Sequence, residues 1–323
     1  MTKPTRRTAL RAAFVVVALG LGGYAVADQW PQVREGLARL SVPLLVGSLA
    51  AVLVALAASM LVWRALLADL GSPLPVRPAA RVFFLGQLGK YLPGSLWPLL
   101  AQMELGRDLG VPRPRSAAAF VLGMLVFLGS GIAVGVIAAG TALTHHPWLL
   151  ALLPPLLLAL HPRVVDAVVG AALRRLGKAP LERPLTWGGV LRAAGWAGVA
   201  WLAYGTHLAL LAWGLGARGP GVLVLATGAF ALAWAAGLIV VVAPAGLGVR
   251  EVVLVAALAP VLEEGSTLIA ALCSRLIVTV GDLLCALLAV TASKRRRDFG
   301  HFSGGSGNRV DGEGEGGHAS PKA

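Results

Sequence analysis

Residues 81–106 read RVFFLGQLGKYLPGSLWPLLAQMELG, a stretch apolar enough for lipid yet interrupted by Lys90, by Pro93-Gly94 and by Glu104. Lipid-facing segments exclude such residues, because a lone charge or a broken helix leaves polar groups unsatisfied in hydrocarbon. The segment is therefore expected to face water, protein or a polar headgroup, and its meaning depends on the chain around it.

That chain is built for a bilayer. Of 323 residues, 57% are hydrophobic and only 13% charged, and the mean hydropathy is +0.78. These values define an all-α polytopic membrane protein. Apolar runs recur throughout without a long polar block, so one integral membrane domain over residues 9–292 is expected, after a basic N-terminus at 1–8. The first run, residues 9–27, is read as a retained helix because Arg6, Arg7 and Arg11 anchor its start. Further spans are expected at 42–67, 117–140, 147–161, 189–216, 220–243 and 266–292, with a half-length crossing at 249–262. Pro154-Pro155 predicts a kink in the short 147–161 run. This makes about eight transmembrane segments plus re-entrant or broken helices.

Orientation follows from the 28 Lys and Arg residues, which collect on the cytoplasmic side of membrane proteins. With the N-terminus inside, Lys3, Arg6, Arg7 and Arg11, the loop Arg163 to Arg192, and Lys294 to Arg297 all fall inside, while Arg34, Arg39 and Arg218 fall outside. Arg77 and Arg81 precede the Lys90 segment and Arg107, Arg113 and Arg115 follow it. Both its ends are thus cytoplasmic, and it should dip into the bilayer and return. Both termini are then cytoplasmic, and the expected location is a plasma membrane. The net charge of +13 reads as topology and attraction to anionic lipid, since the cations are dispersed over membrane-flanking loops without a nucleic-acid recognition motif. The Gly- and Ser-rich tail from Phe299 onward cannot bury a core and is expected to be disordered.

Within the re-entrant segment Lys90 stands out, because the chain holds 23 Arg against 5 Lys. A compact ammonium with movable donors suits a phosphate or carboxylate. Its alternative is to snorkel to the interface beside Tyr91. Pro93-Gly94 breaks one helix, Ser95 can cap the next, and Pro98 is tolerated in that helix's first turn. The second half-helix would aim its N-terminus, with its partial positive charge, into the bilayer. Glu104 is expected to be an interfacial acid paired with a nearby Arg.

A second break occurs at APAGLGVRE, Ala243 to Glu251, where Pro244, Gly246 and Gly248 free backbone groups ahead of Arg250-Glu251. Two Pro/Gly-interrupted segments, one in each half, are a feature of inverted-repeat transporters, which build a midplane site from them. In the last span Arg275, Thr279 and Asp282 lie at i, i+4 and i+7, on one helical face. Arg275 and Asp282 are about 10 Å apart along the axis at 1.5 Å per residue. They are expected to meet partners on other helices, either as structural ion pairs or as part of a substrate path. His207, near Tyr204 and Thr206, either joins the same cavity or is a hydrogen-bonded core histidine.

Other constellations carry no chemistry. Cys273 and Cys285 sit twelve residues apart on one helix, about 18 Å along its axis, too far to bridge. His145-His146 offers too few ligands for a metal, and Glu263-Glu264 reads as a solvated turn. No metal or cofactor is expected, and no nucleotide-binding or hydrolase motif is present.

GQLGKYLPGSLWP at Gly86 to Pro98, with PAGLGVRE at Pro244 to Glu251, resembles the membrane region of the lysylphosphatidylglycerol synthase family, which includes the flippase half of the multiple peptide resistance factors. The resemblance covers about residues 9–292. It implies a helical bundle with broken or re-entrant segments that handles lipids, in some members moving an aminoacylated phospholipid between leaflets. By motif match it carries over Lys90, Tyr91, Pro93, Gly94, Gly246, Arg250 and Glu251. Ser95, Arg275 and Asp282 complete the candidate substrate-binding set. The chain shows no counterpart of the soluble domain that transfers an amino acid from aminoacyl-tRNA, so no synthase activity and no catalytic residue are expected. The expected function is translocation of a phospholipid or other lipid-linked amphiphile with an anionic or zwitterionic headgroup. Two other functions remain open: an integral-membrane enzyme on lipid-linked substrates, which would depend on Asp282 or His207, and a scaffold for a separate lipid-modifying enzyme, which would depend on the loop Arg163 to Arg192.

Overall fold

The computed structural model describes residues 40–92, 96–138, 185–239 and 248–302, with isolated positions between them. The described residues form eight α-helices and one 3-10 turn. In chain order these are α1 (Val42–Asp69), α2 (Val76–Gln87) continued by the 3-10 turn Leu88–Tyr91, α3 (Trp97–Arg107), α4 (Arg113–Ala138), α5 (Trp187–Gly214), α6 (Val222–Ile239), α7 (Val249–Leu258) and α8 (Glu264–Phe302).

Helices α1, α4, α6 and the Gly265–Thr291 part of α8 are long and apolar enough to cross a membrane. They coincide with four of the expected spans. A fifth expected span coincides with α5, whose 28 residues reach about 42 Å against a ~30 Å hydrocarbon core. The expected spans at 9–27 and 147–161 and most of the basic loop 163–192 lie outside the described residues. The apolar part of α8, Gly265–Thr291, matches the expected span 266–292, and the helix itself runs on to Phe302, through residues 293–302 and into the tail expected to be disordered. The sequence Thr291 to Phe302 contains no proline, and Ala292, Lys294 and Arg295 to Arg297 continue a helix readily.

Packing relies on small residues, as expected where lipid removes much of the hydrophobic drive between helices. α5 lies against α1, α4, α6 and α8. A Cβ on Gly131 of α4 would stand 2.8 Å from the ring of Trp201 on α5, and one on Gly281 of α8 would stand 2.7 Å from Val52 on α1. At one end α1 and α5 are tied by Asp69, which accepts hydrogen bonds from the backbone N–H and the hydroxyl of Thr186, both at 2.7 Å. Thr186 in turn caps α5 through Gly189 N at 3.0 Å.

α2 and α3 form a hairpin of two half-helices. With 12 and 11 residues they reach about 18 and 16 Å, too short to cross. Their backbones touch where side chains are missing: a Cβ on Gly89 would stand 2.7 Å from Pro98 N, and one on Gly86 would stand 2.5 Å from Gln102 Cγ. Pro98 occupies the first turn of α3, but the N-cap is Leu96 and no side chain caps it. The helix thus starts one residue later than a Ser95 cap would place it. Pro93, Gly94 and Ser95 themselves lie outside the described residues.

Candidate functional site

Three elements converge. The tip of the hairpin delivers Lys90 and Tyr91 from the 3-10 turn. Gly248, at φ +82°, turns the chain into α7 with a backbone conformation that side chains resist. Arg250 and Glu251 therefore sit in the first turn of that helix, where the dipole favours the glutamate and opposes the arginine. α8 supplies Ser274, Arg275, Thr279 and Asp282.

Two ion pairs join these elements. Lys90 Nζ lies 2.5 Å from Asp282 Oδ2, and the Tyr91 hydroxyl donates to the same oxygen at 2.7 Å. Asp282 is only 2% exposed, whereas Lys90 is 28% exposed. Arg275 Nη1 pairs with Glu251 Oε1, linking α8 to α7. Arg275 and Asp282 thus meet partners on other elements, not each other. Thr279, between them on the same face, donates back to the Arg275 carbonyl at 2.9 Å.

Arg250 is different. Its side chain lies across α6 at Gly237, where a Cβ would stand 2.7 Å from Nε. Nε is buried without a hydrogen-bond partner, and the ion pairs among the described residues do not include Arg250. Three cations, Lys90, Arg250 and Arg275, therefore face two carboxylates, Glu251 and Asp282. The surplus positive charge rests on Arg250, which joins no ion pair among the described residues. Glu251 Oε2 and Asp282 Oδ1 are also buried with no hydrogen-bond partner among the described residues.

Lys90, Tyr91, Arg250, Glu251, Arg275 and Thr279 line one cavity, offering about 60 Å³ to the centres of water-sized molecules, room for several waters. Asp282 stands behind this wall, reached through Lys90 and Tyr91. The remaining lining includes Phe230, Trp234 and Ser274. Phe230 stacks on Tyr204 with ring centroids 4.5 Å apart, and Trp234 packs edge-on against Trp201 at 5.7 Å. The cavity is thus apolar on its α6 side and charged on its α7 and α8 sides, a division suited to a ligand with an ionic head.

The structure places other candidates elsewhere. Gly246 and His145-His146 lie outside the described residues. Glu104 pairs with Arg107 and Arg113, each at 2.9 Å, away from the cavity. Cys273 and Cys285 are buried and free. His207 does not line the cavity. Its Nδ1 lies 2.6 Å from Ser48 Oγ and its Nε2 lies 2.8 Å from Ser274 Oγ, so it bridges α1 and α8 as a hydrogen-bonded core residue. Sequence reasoning missed Ser274, Phe230, Trp234 and the seat at Gly237. Only Ser274, a polar residue beside Arg275 in an apolar span, carried a visible signal.

The fold and cavity define a multi-pass helical membrane protein with a charged cavity lined from the α2–α3 hairpin, α6, α7 and α8. Residues 10–286 match the lysylphosphatidylglycerol synthase TM region, and the chain belongs to that family. No curated protein matches the sequence.

Proposed function

We propose that this protein is a flippase-like translocator for a phospholipid or other lipid-linked amphiphile with an anionic or zwitterionic headgroup. The observation that carries this reading is Arg250, a half-buried cation whose Nε is buried without a hydrogen-bond partner and which joins no ion pair among the described residues, in a cavity that already holds two such pairs. Withdrawing a charge from water without a counter-ion is costly, and an anionic headgroup would offset that cost. The headgroup would enter between the hairpin and α7 while its chains stay in lipid. Moving a bare charge through hydrocarbon costs several kcal/mol or more, and Lys90, Arg250 and Arg275 would offset that cost. Both termini would face the cytoplasm of a bacterial cell, as the cation distribution favours.

The test is leaflet exchange of fluorescent anionic, zwitterionic, aminoacylated and polyprenyl-phosphate lipids in proteoliposomes. Headgroup-selective exchange that is lost in Arg250→Gln and in Lys90→Met is expected. Undiminished exchange in both variants, or none for any lipid with folded protein, would overturn the reading.

A further inference from the structure

Asp282 holds a position that anion binding alone does not require. It is buried behind the cavity wall, its Oδ1 has no hydrogen-bond partner among the described residues, and its Oδ2 is shared by Lys90 and Tyr91. Both of those residues also line the cavity. We propose that anion binding in this cavity is coupled to uptake of a proton by Asp282, so that the headgroup and a proton are carried together. The inference rests on the anion-binding reading given above.

The argument follows from what each group loses. An anion seated on Arg250 attracts the other mobile cation of the cavity, Lys90, whose flexible stem lets the ammonium turn away from Asp282. Asp282 Oδ2 then keeps only the Tyr91 hydroxyl, and Oδ1 keeps nothing. A buried carboxylate without a cation is far less favourable than the neutral acid, so the group takes up a proton. Tyr91 supplies the route: its O–H proton passes to Asp282 Oδ2 as cavity water returns one to Oη. The net change is a proton moved from cavity water to the carboxylate. When the anion leaves, Lys90 returns and the proton is released.

No other group around Asp282 takes this role. On its own helix, Arg275 is paired with Glu251 and Cys285 is a neutral thiol. Across the cavity stand Glu251, held by Arg275, and Arg250. On α5, Tyr204 is stacked on Phe230 and His207 is held between Ser48 and Ser274. Arg64 of α1 donates to the Leu74 carbonyl, and Asp69 accepts from Thr186. Arg77 and Arg81 of α2 are exposed.

The test is calorimetric binding of dihexanoyl phosphatidylglycerol to the purified full chain in detergent, in buffers of different ionisation enthalpy near neutral pH. A phosphodiester keeps a fixed charge there, so any proton exchanged belongs to the protein. Uptake of about one proton per bound anion is expected, and affinity should fall about tenfold per pH unit as pH rises. Asp282→Asn should bind more tightly, because Lys90 is already released, and without proton exchange. Wild-type binding with no proton exchanged, or uptake that persists in Asp282→Asn, would overturn the coupling and leave the anion site standing. Failure of the wild type to bind the probe would overturn both.

Discussion

The side chain of Arg250 lies directly on the backbone of Gly237: a Cβ there would stand 2.7 Å from Nε, 2.8 Å from Cγ and 3.3 Å from Cδ. α6 thereby holds at the cavity a guanidinium that joins no ion pair among the described residues, and Val222–Ile239 itself offers it no counter-charge. The contact makes a position with no side chain a determinant of the site.

Gly237→Ala should accordingly push Arg250 out of place. The guanidinium end is flexible, so the stability loss should be at the low end of overpacking, about 1 kcal/mol. The affinity for an anionic lipid headgroup should fall roughly tenfold, or about 1.4 kcal/mol. Thermal unfolding in detergent and headgroup binding, measured together, separate the two effects.

The Lys90–Asp282 pair predicts an asymmetric mutant cycle. Lys90→Met strands a carboxylate that is 2% exposed, at a cost of about 3–5 kcal/mol when ionised. Asp282→Asn strands an ammonium that is 28% exposed and should cost much less. The double variant should recover most of the Lys90→Met loss without recovering lipid exchange. Additive costs would show that the pair is not coupled.

Gly89→Ala should open the hairpin. Its Cβ would meet backbone atoms, Pro98 N at 2.7 Å and the Trp97 carbonyl carbon at 2.8 Å, and backbone cannot swing aside. A loss of about 3 kcal/mol is expected, with lipid exchange impaired because Lys90 is the next residue. Normal stability and exchange in this variant would contradict the observed crossing.

His207→Gln should separate structure from function. Losing the imidazole leaves Ser48 and Ser274 without their ring partners, at a cost of about 1–3 kcal/mol. Lipid exchange, corrected for the amount of folded protein, should persist. Loss of function in well-folded His207→Gln protein would favour the enzyme reading instead.

Much of the architecture was legible because its cause is local. A run of apolar residues long enough for the bilayer is visible without knowing its neighbours, and α1, α4, α5, α6 and α8 fall where such runs occur. Pro93-Gly94 with basic residues on both flanks likewise announced a segment that turns back. The start of α3 was less legible, since capping depends on where the hairpin backbones touch. The apolar span within α8 ended where expected, but the helix runs past it, because helix propensity outlasts hydrophobicity there.

The candidate site divides in the same way. Its charges were conspicuous in the sequence because Lys90, Arg250, Glu251, Arg275 and Asp282 interrupt apolar runs, and each needs an explanation in lipid wherever it lies. Their pairing was not: the choice of Asp282 for Lys90, and of Glu251 for Arg275, depends on how α7 and α8 pack beside the hairpin. The seat of Arg250 on Gly237 is likewise invisible in one dimension, because it is defined by a missing side chain on another helix. The sequence by itself determined a polytopic helical protein with charges buried in two broken segments, since hydrophobicity and helix breaking are properties of neighbouring residues. Only the tertiary structure decided that, among the described residues, Asp282 would pair with Lys90 and Glu251 with Arg275 while Arg250 joins no ion pair, because charge pairing acts over a few ångströms between residues far apart in the chain.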